Sequence, residues 1–87
     1  MNKNQKAYTV YILRCADGTL YTGITTDLDR RVQEHNDGVG AKYTRGRGPV
    51  VVVYKEILSS RSVASKREAE IKSLDKTEKM KLIGDKV

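Results

Sequence analysis

Little in this chain points toward secretion, a membrane or a soft metal. Cys15 is its single cysteine, so no intrachain disulfide can form and a reducing, cytoplasmic location is expected. With only one histidine beside it, there are too few soft ligands for a structural zinc site. The apolar run Val50–Val53 falls far short of the ~20 residues that a membrane-spanning helix needs, so no membrane partner is expected. Met1–Lys6 is polar and lacks the apolar centre of a secretory signal; residues 1–7 read as a disordered tail. Internal repeats and low-complexity tracts are also missing.

The 87 residues leave room for one domain and one modest core, placed at residues 8–84. At 38% hydrophobic and 32% charged, the composition is that of a folded globular chain. Seventeen basic residues against eleven acidic give a net charge of +6. Such a surface attracts polyanions, nucleic acid among them, although charge alone fits an ordinary soluble basic domain equally well.

Residues 8–14 are β-branched and aromatic and read as a strand, with 19–24 as its hairpin partner. Loop length decides which side chains share a face. A two-residue turn at Asp17-Gly18 puts Tyr11 and Tyr21 on opposite faces. A three-residue loop, Ala16-Asp17-Gly18 with Gly18 left-handed, pairs Cys15 with Thr19 and sets Tyr11 opposite Gly23, with Tyr21 diagonal to it on one face. A site that uses both phenols requires the second register.

A helix starts near Leu28, capped by Thr26 or Asp27, and ends at Asn36–Gly38. Residues 39–49, with Gly40, Gly46, Gly48, Pro49 and three cations, form a loop. Val50–Leu58 is the most β-prone run and is expected as a third strand buried in the sheet. A second helix begins after Ser60 or Ser62, with Ala64, Ile71 and Leu74 on one face. Asp75-Lys76-Thr77-Glu78 is an acidic capping box opening a short final helix. The expected fold is α+β, a small three-stranded antiparallel sheet flanked by helices in the order ββαβαα.

Four groups of residues could carry chemistry. Tyr11 and Tyr21 are either plain strand aromatics or phenols that handle a proton. For the second role, nearby cations such as Arg31 and Lys42 must lower a phenol pKa that is normally ~10. Arg31 and His35, four residues apart, share a helical face. A guanidinium can donate two hydrogen bonds to a phosphate, and His35 could donate another; a surface arginine and a structural histidine are the ordinary alternatives. Glu68 falls near the buried face of its helix, where a hydrated Mg²⁺ suits a lone carboxylate and a salt bridge to Lys72 is the alternative. Lys42, Tyr43, Arg45 and Arg47 combine cations, an aromatic and flexible glycines, a composition suited to a phosphate backbone and an unpaired base.

Together these positions resemble the GIY-YIG nuclease family over roughly residues 8–74. Thr9-Val10-Tyr11 stands where the family has Gly-Ile-Tyr, and Tyr21-Thr22-Gly23 where it has Tyr-Ile-Gly. Arg31, His35 and Glu68 fall at the family's Arg, His and Glu positions, and the run Lys42–Val50 is similar to that of small stand-alone bacterial members. The resemblance implies a DNA endonuclease, with DNA repair as its setting and one Mg or Mn ion held by Glu68. Tyr11 would be the general base, Tyr21 would position water or phosphate, and Arg31 would steady the phosphate. A basic surface reads backbones, so a flap, branch, nick or end is the expected substrate, with RNA left open. A non-catalytic nucleic-acid-binding module and a nuclease subunit that needs a protein partner are the alternatives.

Overall fold

The computed structural model describes residues 7–84; the tail expected at 1–7 lies, apart from Ala7, outside the described residues. Three strands and three helices follow one another in the expected ββαβαα order. They are β1 (Tyr8–Arg14), β2 (Leu20–Thr25), α1 (Leu28–Asn36), β3 (Val51–Leu58), α2 (Arg61–Lys72) and α3 (Lys76–Ile83). A short 3-10 turn, Lys42–Thr44, interrupts the long loop before β3. The sheet is antiparallel, in the order β2-β1-β3.

The hairpin adopts the three-residue loop. Cys15 N–H donates to the Thr19 carbonyl at 2.8 Å, and Gly18 N–H to the Cys15 carbonyl at 2.9 Å. Gly18 has φ +86°, a conformation that glycine takes without steric cost. Asp17 closes the turn by accepting from both the N–H and the hydroxyl of Thr19. Tyr11 therefore pairs with Gly23 and Leu13 with Tyr21, the register that brings the two phenols to one face.

β1 is the central strand, and Val10, Tyr11, Ile12 and Leu13 are all buried. They alternate between two cores. Val10 and Ile12 pack with Ala64 and Ile71 of α2 and with Leu82 and Ile83 of α3. Tyr11 and Leu13 pack with Cys15 and Val50, and with Leu28 and Val32 of α1. The sheet thus lies between α1 on one face and α2 with α3 on the other. Each fully buried aliphatic side chain contributes roughly 1.5–3 kcal/mol, so this one strand ties both layers together.

β3 departs from the expectation of a strand buried in the sheet. It is an edge strand, with Val51, Val52 and Ile57 exposed, Ile57 by 66%. Its β-branched run drives strand formation, but β1 already hydrogen-bonds on both sides, so β3 has one free edge.

Each helix is fixed at its start. Asp27 accepts from Arg30 N–H, Ser60 from Val63 N–H, and Asp75 and Glu78 form the reciprocal capping box. α2 is also pinned across β3. Arg67 Nε donates to Glu56 at 3.0 Å, and the Tyr54 hydroxyl donates to the same carboxylate at 2.6 Å. Tyr54 and Arg67 hold the Glu56 carboxyl below its ordinary pKa. Among the described residues, no helix is long and apolar enough to cross a membrane.

Candidate active site

Tyr11 is 1% exposed, and its ring runs from β1 across β2 above Gly23. A Cβ at position 23 would sit 2.7 Å from the Tyr11 Oη, so glycine is what allows the phenol to reach the outer edge of the sheet. Tyr21 packs against Tyr11 with ring centroids 6.3 Å apart and meets the His35 ring edge-on at 5.3 Å.

His35 is also 1% exposed, with both ring nitrogens engaged. Its Nε2 lies 3.0 Å from Tyr11 Oη and its Nδ1 2.8 Å from Thr44 Oγ1. The Thr44 hydroxyl has one proton, and it donates to the Ala41 carbonyl at 2.9 Å. Oγ1 is then the acceptor for Nδ1–H, and Nε2 is left bare to accept from the Tyr11 hydroxyl. Ala41 N–H also approaches Nδ1, which favours the other tautomer, but at 3.4 Å it is the weaker contact and the Thr44 bond prevails. Burial, and then the Arg31 charge, lower the His35 pKa, so the ring is neutral near pH 7. A role for His35 as a direct phosphate donor is closed by this arrangement: the ring is covered and both nitrogens face protein groups.

The Tyr11 phenol is not lowered by its surroundings as the sequence reading required. Burial, followed by the neighbouring Tyr21, pushes it up to about 12; Arg31 pulls the other way but is outweighed. Arg31 is half-buried, and its Nη1 donates to Glu34 at 3.0 Å, the main reason its own pKa rises. Lys42 is exposed on the loop.

Glu68 comes from the opposite layer. Its side chain is 21% exposed and pairs with Lys72 at 3.2 Å, and its charge still contributes to raising Tyr11. A carboxylate from the α2 side thus lies within electrostatic reach of a phenol from the α1 side. Among the described residues, no three His, Cys, Asp or Glu side chains cluster as a ready metal cage. A single half-buried carboxylate with a surface lysine as its partner does suit Mg²⁺, which takes one or two carboxylates and keeps several waters.

The basic loop is more committed than its composition implies. Tyr43 stacks on Tyr21 at 5.8 Å and 28°, while the Arg47 guanidinium covers its ring at 4.6 Å. Arg47 also donates to the Tyr43 carbonyl and pairs with Asp17 on the hairpin. Tyr43 and Arg47 are therefore tied into the fold as well as exposed at its surface, Tyr43 by 43%. Lys42 and Arg45 remain exposed.

Two residues escaped the sequence reading. Thr44, 1% exposed, orients His35. Gly40 packs against His35 so closely that a Cβ there would lie 2.9 Å from its Cα. A threonine within a basic, glycine-rich loop gives no sign of burial, and the contact spans nine residues with no periodic pattern.

The model of the GIY-YIG catalytic domain family matches residues 7–81. A UPF0213 protein of Natronomonas pharaonis is 58% identical over 76 residues, covering 87% of this chain and 89% of the relative. Another from Desulfotalea psychrophila is 56% identical over 81 residues, covering 92% and 74%. The solution NMR structure of a UPF0213 protein from Bacillus halodurans superimposes with a TM-score of 0.59 at 47% identity, over 90% of this chain and 83% of that one. A solution NMR structure of an E. faecalis protein gives 0.61 at 43%, over 93% and 88%.

Proposed function

The chain belongs to the GIY-YIG family, and from that premise we propose that it is an endonuclease that hydrolyses DNA phosphodiester bonds at the outer edge of β2. The observation that carries this reading is the Tyr11–His35 hydrogen bond at 3.0 Å, next to Arg31 and within the field of Glu68.

With Tyr11 near 12 and His35 below its ordinary value, a standing phenolate–imidazolium pair is unfavourable. The proton movements are therefore coupled. Tyr11 Oη takes a proton from the attacking water as it passes its own to His35 Nε2, and Thr44 keeps the ring in the accepting tautomer. Tyr21 narrows the space in which water and phosphate meet. Arg31, already drawn toward Glu34, turns its free N–H groups to the phosphate oxygens as charge builds on them. Glu68 would hold a single Mg²⁺ or Mn²⁺, which when bound supplies charge stabilisation for the phosphate and the leaving oxygen. Exposed Lys42 and Arg45 contact the backbone without reading bases, so recognition follows the shape of a flap, branch, nick or end.

The deciding experiment is cleavage of end-labelled linear, nicked, flapped and branched DNA with Mg²⁺ or Mn²⁺, with Glu68→Ala protein purified in parallel. The wild type is expected to cut and the variant only to bind, with a chelator abolishing the wild-type activity. Binding by both without cutting would leave a nucleic-acid-binding module. Equal loss of binding and cutting in the variant would remove the metal role from Glu68.

A further inference from the structure

Two open hollows flank the tyrosines, one at each end of β2. At the hairpin end, a cavity of about 200 Å³ is lined by Thr19, Leu20, Tyr43, Lys76 and Lys79. At the other end, one of about 310 Å³ is lined in part by Arg30, Arg31 and Arg61. Each shares a wall with the candidate site. Tyr43 is stacked on Tyr21, and Arg31 stands beside Tyr11.

Both hollows carry cations in excess of their partners. Among the described residues, no carboxylate lies within ion-pair distance of Lys76, Lys79 or Arg61. Glu34 is the one acid lining the second hollow, and it serves Arg31 at 3.0 Å and Arg30 only at 4.0 Å. The first hollow adds apolar surface from Leu20 and Tyr43, and Lys79 beside them is half-buried. Separated cations with an apolar strip between them match a chain of phosphates carrying flat, largely apolar units.

We infer that the free edge of β2 is the track of the substrate strand, gripped by Lys76 and Lys79 on one side of the scissile phosphate and by Arg30 and Arg61 on the other. The track deepens the nuclease reading and rests on it. Five steps along β2, at about 3.4 Å each, separate its ends by about 17 Å, which spans about five nucleotides of a duplex strand. α3, which packs Leu82 and Ile83 on the core, gains a second role in this arrangement through its lysines.

The test is the affinity of fluorescently labelled nicked DNA for the full chain, measured with chelator across a salt series. Lys76→Ala with Lys79→Ala, and separately Arg30→Ala with Arg61→Ala, are compared with the charge-matched control Lys55→Ala with Lys66→Ala. Each flanking pair is expected to weaken binding tenfold or more and to flatten the log–log salt slope by about 2, roughly one unit for each lost phosphate contact. The control should change affinity less than twofold, and Lys76→Arg with Lys79→Arg should bind as the wild type does. Equal losses in flank and control variants would overturn the track and leave cleavage by the wild type unaffected. Flank-specific losses in a protein that never cuts would keep the track and remove the nuclease reading. A wild type that binds no DNA at all removes both.

Discussion

Gly23 sets how far the Tyr11 phenol can reach. In Gly23→Ala the added carbon meets Oη at 2.7 Å, and the ring must swing aside. A misplacement of about 1 Å at a reacting group costs on the order of 100-fold, so kcat should fall by about that factor while DNA affinity holds. Thr44 is tested through stability. Thr44→Val leaves the buried Nδ1–H of His35 without an acceptor, which costs ~1–3 kcal/mol in urea unfolding, whereas Thr44→Ser should lose much less. The ionisations give two opposite pH trends. Because the folded His35 pKa lies below the ordinary 6.5, the unfolded chain binds more protons in that window, and stability declines as pH falls below about 6.5. Tyr11 is raised instead, from 10.0 to about 12, so its contribution is complete below 10 and disappears as pH climbs toward 12. Ultraviolet titration should show a late phenol that Tyr11→Phe removes. The residue types at these positions were readable from the chain, but their pairings were not. A tautomer fixed by Thr44, or a tyrosine packed against both Tyr21 and Arg47, arises from contacts across the fold that spacing along one helix does not encode.

At the scale of elements, the locally determined features were legible. The hairpin was legible as one of two registers. The starts of α1 and α2 were legible to within one or two residues, with Asp27 and Ser60 the caps that form, and the start of α3 from the Asp75–Glu78 box, because a cap acts within three residues. The position of β3 was not, since its valines favour a strand without specifying an edge or a centre. The attachment of α2 is likewise a long-range matter. Arg67 and Glu56 lie on different elements, with side chains only 31% and 27% exposed, and they hold the helix that carries Glu68. Arg67→Met should destabilise the protein by about 1 kcal/mol, allowing for partial solvent screening, and should reduce cleavage more than binding. Stopped-assay cleavage beside equilibrium binding would separate the two effects.

For the whole molecule, the sheet is a partition with the phenols, the guanidinium and His35 served from one side and Glu68 from the other. Because β1 ties the two layers together and α2 carries both Glu68 and Arg61, gripping and cutting should fail together in a denaturant series, on the same curve as circular dichroism. DNA binding that outlasts cleavage would mean that the layers melt separately. The same partition lets one thin sheet supply both cores, with the candidate site at the margin where they meet.

The alternation of β1 restricts how such a chain can change length over generations. Even and odd positions between Val10 and Leu13 serve different layers, so inserting or deleting one residue there would exchange the two sets and point a phenol at Ile71. Length variants should accumulate beyond α3, while β1 keeps a constant reading frame. A library of single-residue insertions selected for folding would show that frame as a gap seven residues wide, from Tyr8 to Arg14.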